Sequence, residues 1–133
     1  MRVYFDTNIV IYFIEQPAGW GQRASSRVSQ LQVNRDQIIV SDLTRMECRI
    51  GPIKFNDPIT LAQFDAFFQA KEVQVVLLTT AIVDRATLIR AQRGYSLPDA
   101  LHLAAAVEAG CDVFLTNDTR LSSFPGIAVE ILP

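Results

Sequence analysis

The 133-residue chain holds only two cysteines, one histidine, one tryptophan and, among 12 basic residues, two lysines, Lys54 and Lys71. Each scarcity narrows the field. Cys48 and Cys111 stand far apart with no CxxC or Cys/His spacing, which argues against a zinc site or a disulfide and for two buried, reduced thiols. No apolar run approaches the length of a membrane-spanning helix. The opening "MRVYFDTN" places an acid at position 6 and lacks the long apolar region of a secretory signal, so a cytoplasmic location is expected. A net charge of −2 gives no overall basic field for gripping nucleic acid. Repeats, low-complexity tracts and linkers are also missing, and the length suits a single domain over residues 1–133.

What is present is apolar sequence in two rhythms. Half of the residues are hydrophobic, and short β-branched runs alternate with helical patterns. Strands are expected over "RVYF", "QIIVS", "VQVVLLT", "DVFLT" and "IAVEIL". Helical periodicity covers "NIVIYFIE", residues 22–33, "DLTRMECRI", "LAQFDAFFQA", residues 81–93 and the segment opening "LPDALHLAAA", with stops at Gly94 and Gly110. Gly51-Pro52 and Asn56-Asp57-Pro58 predict a loop. The alternation predicts a three-layer α/β domain around a central, mostly parallel five-stranded sheet. Its apolar runs lack clean alternation, as expected for strands covered on both faces. In such sheets ligands bind beyond the carboxyl ends of the strands, near the point where strand order reverses, so chemistry should appear just after strands.

Acids appear there. Asp6 follows the first strand, Glu47 lies in the helix after the second, Asp99 begins the apolar helix before the fourth, and Asp118 follows the fourth. Right-handed crossovers allow all four to converge on one sheet edge. Each has an ordinary structural role open to it. Asp6 can end a strand and cap a helix, and Asp99 in "SLPD" fits a capping box. Asp118 lies in a turn-like "NDT", and Glu47 suits a solvated helix face. Those separate roles do not explain why all four fall at one end of one sheet. Two unit charges about 4 Å apart repel by roughly 4 kcal/mol at an effective dielectric near 20, so a converged set must spread, protonate or recruit cations. Carboxylates without a nearby thiolate fit hard divalent ions such as Mg²⁺ or Mn²⁺.

Polar neighbours flank the acids. Thr116 is the one expected to orient a carboxylate or a bound water, with Thr7, Asn8, Ser41 and Asn117 mainly as caps and Asp42 as an N-cap. His102, three residues after Asp99 and on the same helix face, is expected to be a hydrogen-bonded supporting residue, not the general base. Arg23 with Arg27, and Arg45 with Arg49, form i, i+4 pairs that are candidates to hold phosphates, although a solvated face explains either pair taken alone. Phe64, Phe67 and Phe68 read as core, with a dimer face or a partner groove as the alternative.

Taken together, "VYFDTN", "SDLTRMECRIG", "LPDALHLAAA" and "FLTND" resemble the PIN-domain nucleases over essentially the whole chain. The short single-domain form is most similar to the VapC-type toxins of prokaryotic toxin–antitoxin pairs. The resemblance implies a five-stranded parallel sheet and a Mg²⁺- or Mn²⁺-dependent endoribonuclease. It implies that Asp6, Glu47, Asp99 and Asp118 form the catalytic, metal-holding quartet. A homodimer and inhibition by a small cognate antitoxin are also implied. Two rivals stand beside it: another Mg²⁺-dependent phosphoryl-transfer enzyme, such as a phosphatase with an aspartyl nucleophile, and a catalytically silent module binding RNA or a partner. The phosphatase would want a second Asp where this chain has Asn8.

Overall fold

Along β1 (Arg2–Phe5) successive side chains point to opposite faces, Val3 and Phe5 to one and Tyr4 to the other, and all three are fully buried. A strand buried on both faces requires helices on both sides, and the remaining elements supply them. The computed structural model describes residues 1–133. After β1 come α1 (Thr7–Glu15), α2 (Gly21–Val33), β2 (Gln37–Ser41), α3 (Asp42–Lys54) and α4 (Pro58–Gln69). The chain continues through β3 (Val73–Val76), α5 (Thr80–Arg93), α6 (Leu97–Glu108) and β4 (Val113–Thr116). A 3₁₀ turn (Thr119–Ser123) and β5 (Ala128–Ile131) complete it.

All strand pairings are parallel, in the order β3-β2-β1-β4-β5. The chain winds outward from β1 to β3, then returns to the other side of β1 to form β4 and β5. Strand order therefore reverses between β1 and β4, which opens a crevice at their carboxyl ends. On one face, Phe5, Val40 and Leu115 pack with Ile9, Val28, Leu31 and the α4 residues Phe64, Phe67 and Phe68. On the other, Tyr4, Ile39 and Phe114 pack with Ile82 and Ile89 of α5 and with Leu103 and the alanines of α6. Burying Phe5 or Phe114 stabilises the domain by roughly 1.5–3 kcal/mol each. The small residues Ala100, Ala104, Ala105 and Ala106, all essentially inaccessible, let α6 lie close to the sheet and to α5. The three phenylalanines of α4 are core, as expected.

Three local features differ from the sequence reading. Helix α3 runs through Gly51 and Pro52 instead of stopping before them. Pro52 lies so near the C-terminus that its missing N–H costs one hydrogen bond at a fraying end, and Phe55 N–H still closes on the Gly51 carbonyl at 2.9 Å. Strand β3 ends at Val76, leaving Leu77 and Leu78 outside the sheet. Its only neighbour, β2, pairs Ser41 with Val76 and then turns into α3. The N-cap of α3 is Ser41, not Asp42: the Ser41 N–H donates to Thr44 Oγ1 at 3.1 Å within a reciprocal capping box. Asp42 instead faces Arg45 at 3.4 Å.

Candidate active site

The crevice begins where β1 ends. The Asp6 N–H still pairs with the Leu115 carbonyl of β4, while its side chain caps α1 by accepting from Thr7 N–H at 2.9 Å. Its second oxygen accepts from the Thr116 hydroxyl at 2.7 Å. The carboxyl is 8% exposed and has no cation bonded to it. Burial pushes its pKa above the ordinary carboxylate range and the Asp99 charge adds to the rise. The His102 ring and the hydrogen bonds from Thr116 and Thr7 oppose it. Thr116 therefore orients a carboxylate, as its place beside the acids predicts. Its oxygen also accepts from Asp118 N–H at 3.1 Å, which ties the first acid to the fourth.

Glu47 reaches the same crevice from α3. Its Oε1 accepts from Thr7 Oγ1 at 2.7 Å and from His102 Nε2 at 2.6 Å, and Oε2 accepts neither bond. Burial alone would raise the Glu47 pKa, but the bonds from His102 and Thr7 outweigh it and leave the carboxyl below its usual value. His102 is 1% exposed, and its Nδ1 meets Tyr4 Oη at 2.7 Å. Tyr4 Oη in turn lies 2.9 Å from Ser41 Oγ. Nε2 faces a carboxylate oxygen, so it carries the proton in either charge state of the ring. That proton is committed to Glu47, so Nε2 holds the carboxylate and keeps no lone pair for base work. Thr7, expected mainly as a cap, instead bridges Asp6, Glu47 and His102.

Asp99 and Asp118 close the ring. Ser96 caps α6 by accepting from Asp99 N–H at 3.2 Å, but the Asp99 carboxylate does not return the bond. It stands 3.7 Å from Arg120 Nη2. The guanidinium of Arg120 grips both oxygens of Asp118, with Nε at 3.0 and 3.1 Å and Nη2 at 2.5 Å. This bonding, chiefly the side-chain contact, holds the Asp118 carboxyl below its ordinary range. Asp118 also caps the 3₁₀ turn by accepting from Arg120 N–H at 3.0 Å. Asn117 accepts from Asn8 at 3.3 Å and donates to Tyr12 Oη at 3.0 Å, so both asparagines lock β4 to α1 and cap neither.

All four acids thus lie on one connected network of hydrogen bonds and ion pairs around the reversal point. The sequence reading did not single out Arg120. The signal was a basic residue two positions after an acid at the start of a turn, within easy reach of that acid. The four arginines it did single out contact other partners, and none bonds to the four acids. Arg27 is bound by two bonds to Glu130 of β5, at 2.7 and 3.0 Å, with its side chain only 14% exposed. Arg23 lies over Trp20, 4.9 Å from the ring centroid, and Trp20 stacks on Tyr12. Arg45 faces Asp42 and Arg49 faces Asp65 at 3.2 Å. Both thiols are free, but only Cys48 is buried as expected; Cys111 is half-buried, its pKa pushed up to about 11 by burial.

The donors are all carboxylate oxygens, the chemistry that hard divalent cations prefer. The excess of negative charge around buried Asp6 fits such an ion as well. No three Asp, Glu, His or Cys side chains stand together as a ready-made cage, and Arg120 spans Asp99 and Asp118.

Helices on both faces of a parallel sheet, and carboxylates gathered where the strand order reverses, define a doubly wound α/β domain with an acid-lined crevice. The chain belongs to the PIN-domain family, whose model matches residues 3–127. Among solved structures it is similar to VapBC2 from Rickettsia felis, bound to a DNA fragment from its promoter. That match has 18% identity, covers 100% of both chains and has a TM-score of 0.81. It is also similar to Mycobacterium tuberculosis VapC20, described as a sarcin-ricin loop cleaving toxin, with 18% identity, 98% and 99% coverage and a TM-score of 0.76. VapBC-1 from nontypeable Haemophilus influenzae matches at 20% identity, with 99% and 98% coverage and a TM-score of 0.73. Among curated proteins none matches significantly.

Proposed function

We propose that this PIN domain is a Mg²⁺- or Mn²⁺-dependent endoribonuclease and the toxin of a toxin–antitoxin pair. The observation that carries the reading is the gathering of Asp6, Glu47, Asp99 and Asp118, spread over more than a hundred residues of sequence, into one crevice. Asp6, Asp99, Asp118 and the free Oε2 of Glu47 would hold the metal. A divalent ion there supplies a Lewis acid for the phosphate and lowers the pKa of a coordinated water for attack on phosphorus.

The chain's own residues prepare that site. Thr116 and Thr7 N–H fix Asp6 in one orientation. Thr7 and His102 hold Glu47 by Oε1 and keep it ionised, with Tyr4 and Ser41 fixing the far side of the imidazole. The N-termini of α1 and α6 open next to Asp6 and Asp99 and add modest positive potential. Arg23, Arg45 and Arg49 are candidates to hold the RNA backbone: Arg45 and Arg49 face half-exposed acids, Asp42 and Asp65, with which phosphate can compete, and Arg23 lies over the partly buried Trp20 ring. A small antitoxin and a second copy of the chain are the proposed protein partners. The antitoxin is supported by relatives that are toxin–antitoxin complexes.

The test is cleavage of mixed transfer and messenger RNA by antitoxin-free protein, with Mn²⁺ or Mg²⁺ against chelator, alongside Asp99→Asn. Metal-dependent cutting that the variant loses supports the reading. Equal cutting by both proteins removes Asp99 from the site, and metal binding without cutting of any RNA favours a silent binding module.

A further inference from the structure

The molecule's arginines fall into two kinds. Arg27 is packed against the domain and bound to Glu130. Arg2 likewise spends its guanidinium on Gln37, Gln74 and the Ala109 carbonyl. Arg120 differs. Its side chain is 76% exposed, and its side-chain nitrogens find no partner but the two acids Asp118 and Asp99. Nothing packs it in place, and no third residue would lose a bond if it swung away. It is a positive charge, mobile on the ordinary timescale of an exposed side chain, lying between two proposed metal ligands.

We propose that Arg120 is the resident counter-ion of the Asp99–Asp118 half of the crevice, and that a divalent metal enters this half by displacing it. The inference rests on the reading of the four acids as a metal site. A guanidinium neutralises the pair with one charge and directional N–H bonds, whereas Mg²⁺ or Mn²⁺ offers two charges to the same oxygens. The two cannot share Asp118, because Arg120 occupies both of its oxygens, Oδ1 through Nε and Oδ2 through Nη2. Metal affinity is therefore reduced by the fraction of molecules in which the arginine is seated: seated nine-tenths of the time, it weakens the apparent affinity about tenfold. In return the metal-free acids are held together without the full repulsion their approach would cost. Arg120 is in this sense a positioning residue and a gate on metal occupancy.

The experiment is calorimetric titration of Mn²⁺ alone into RNA-free protein, comparing the parent chain with Arg120→Ala, Arg120→Lys and Asp99→Asn. The Arg120→Ala protein should bind Mn²⁺ about five- to tenfold more tightly, and Arg120→Lys should stay nearer the parent value. Asp99→Asn should lose most of the binding. In parallel, the Nε–H resonance of Arg120 in the parent protein should move toward that of a free arginine as Mg²⁺ is added. Binding to Arg120→Ala that is unchanged or weaker than the parent overturns the displacement while leaving the metal site standing. An Arg120 resonance unmoved by saturating Mg²⁺ overturns it as well. Absence of Mn²⁺ uptake by parent and Arg120→Ala alike overturns the metal reading and this inference with it. Circular dichroism of the exposed-site variants verifies that each is folded.

Discussion

The two ends of the sheet treat charge in opposite ways. At the amino edge several ionic groups are matched. Arg2 donates to Gln37, Gln74 and the Ala109 carbonyl, Asp112 accepts from Arg2 N–H at 2.8 Å, and the terminal ammonium sits 2.6 Å from Asp36. At the carboxyl edge four acids share one exposed guanidinium and one imidazole. The first edge is finished as folded and stitches strands, loop and helix together. The second is left with negative charge over, which a free energy of folding of only about 5–15 kcal/mol tolerates in small amounts.

Neutralising an acid at the carboxyl edge should show that contrast most strongly. Asp6→Asn is expected to cut RNA cleavage by about 100-fold or more, comparable to removing one preorganised charge-stabilising group. It should also hold or raise the melting temperature at neutral pH. The sign follows from linkage. The folded-state pKa of Asp6 lies above its unfolded value, so folding favours the protonated acid. The associated stability is present at low pH and is lost as pH rises through the folded pKa. Thermal melts of Asp6→Asn and the parent should therefore converge in acid and separate toward neutrality. Asp118, whose pKa is lowered, behaves in the opposite sense, its contribution fading as pH falls. A parent protein more stable than Asp6→Asn at every pH would break the contrast.

The amino edge offers the mirror experiment. Arg2→Ala should cost roughly 2–3 kcal/mol of stability in denaturant unfolding, because partly buried acceptors lose a charged donor, and cleavage per folded molecule should stay at the parent rate. A smaller effect is expected from Thr116→Val, which leaves Asp6 without its hydroxyl. Cleavage should fall about 10- to 100-fold, as for other outer-shell partners of metal ligands, with a modest loss of stability. The smallest effects separate the arginines. Arg27→Ala should cost about 1 kcal/mol of stability and leave the salt dependence of RNA binding as it was, since Glu130 already occupies it. Arg45→Ala should make that dependence shallower. Equal salt slopes for all three proteins would remove Arg45 from the RNA-binding surface.

Much of this was legible in the sequence because its signals are local and periodic. Alternating apolar runs mark the strands, Gly94 at φ 70° ends α5 as read, and Asp6, Glu47, Asp99 and Asp118 announce themselves by following strands or opening helices. What escaped depends on contacts across the fold. Pro52 reads as a breaker, yet tertiary packing and its place near the helix end carry α3 past it. The chain Ser41–Tyr4–His102–Glu47 joins β1, β2, α3 and α6, and no spacing rule connects a buried tyrosine on β1 to an acid on α3. Arg120 escaped for another reason. A basic residue in a polar turn is ordinarily solvated, and only the approach of α6 to β4 brings Asp99 within its reach.

The pairing of β1 with β4 has a consequence for how the protein comes into being. Asp6 and its partner Thr116 are separated by 110 positions of sequence. Parallel neighbours so far apart cannot zip locally and must wait for the intervening helices. A growing chain on the ribosome therefore carries Asp6 through more than a hundred further residues of synthesis without a finished crevice. On the proposed reading as a ribonuclease, the active crevice cannot form before Thr116 and Asp118 are made, and strand order alone provides that delay.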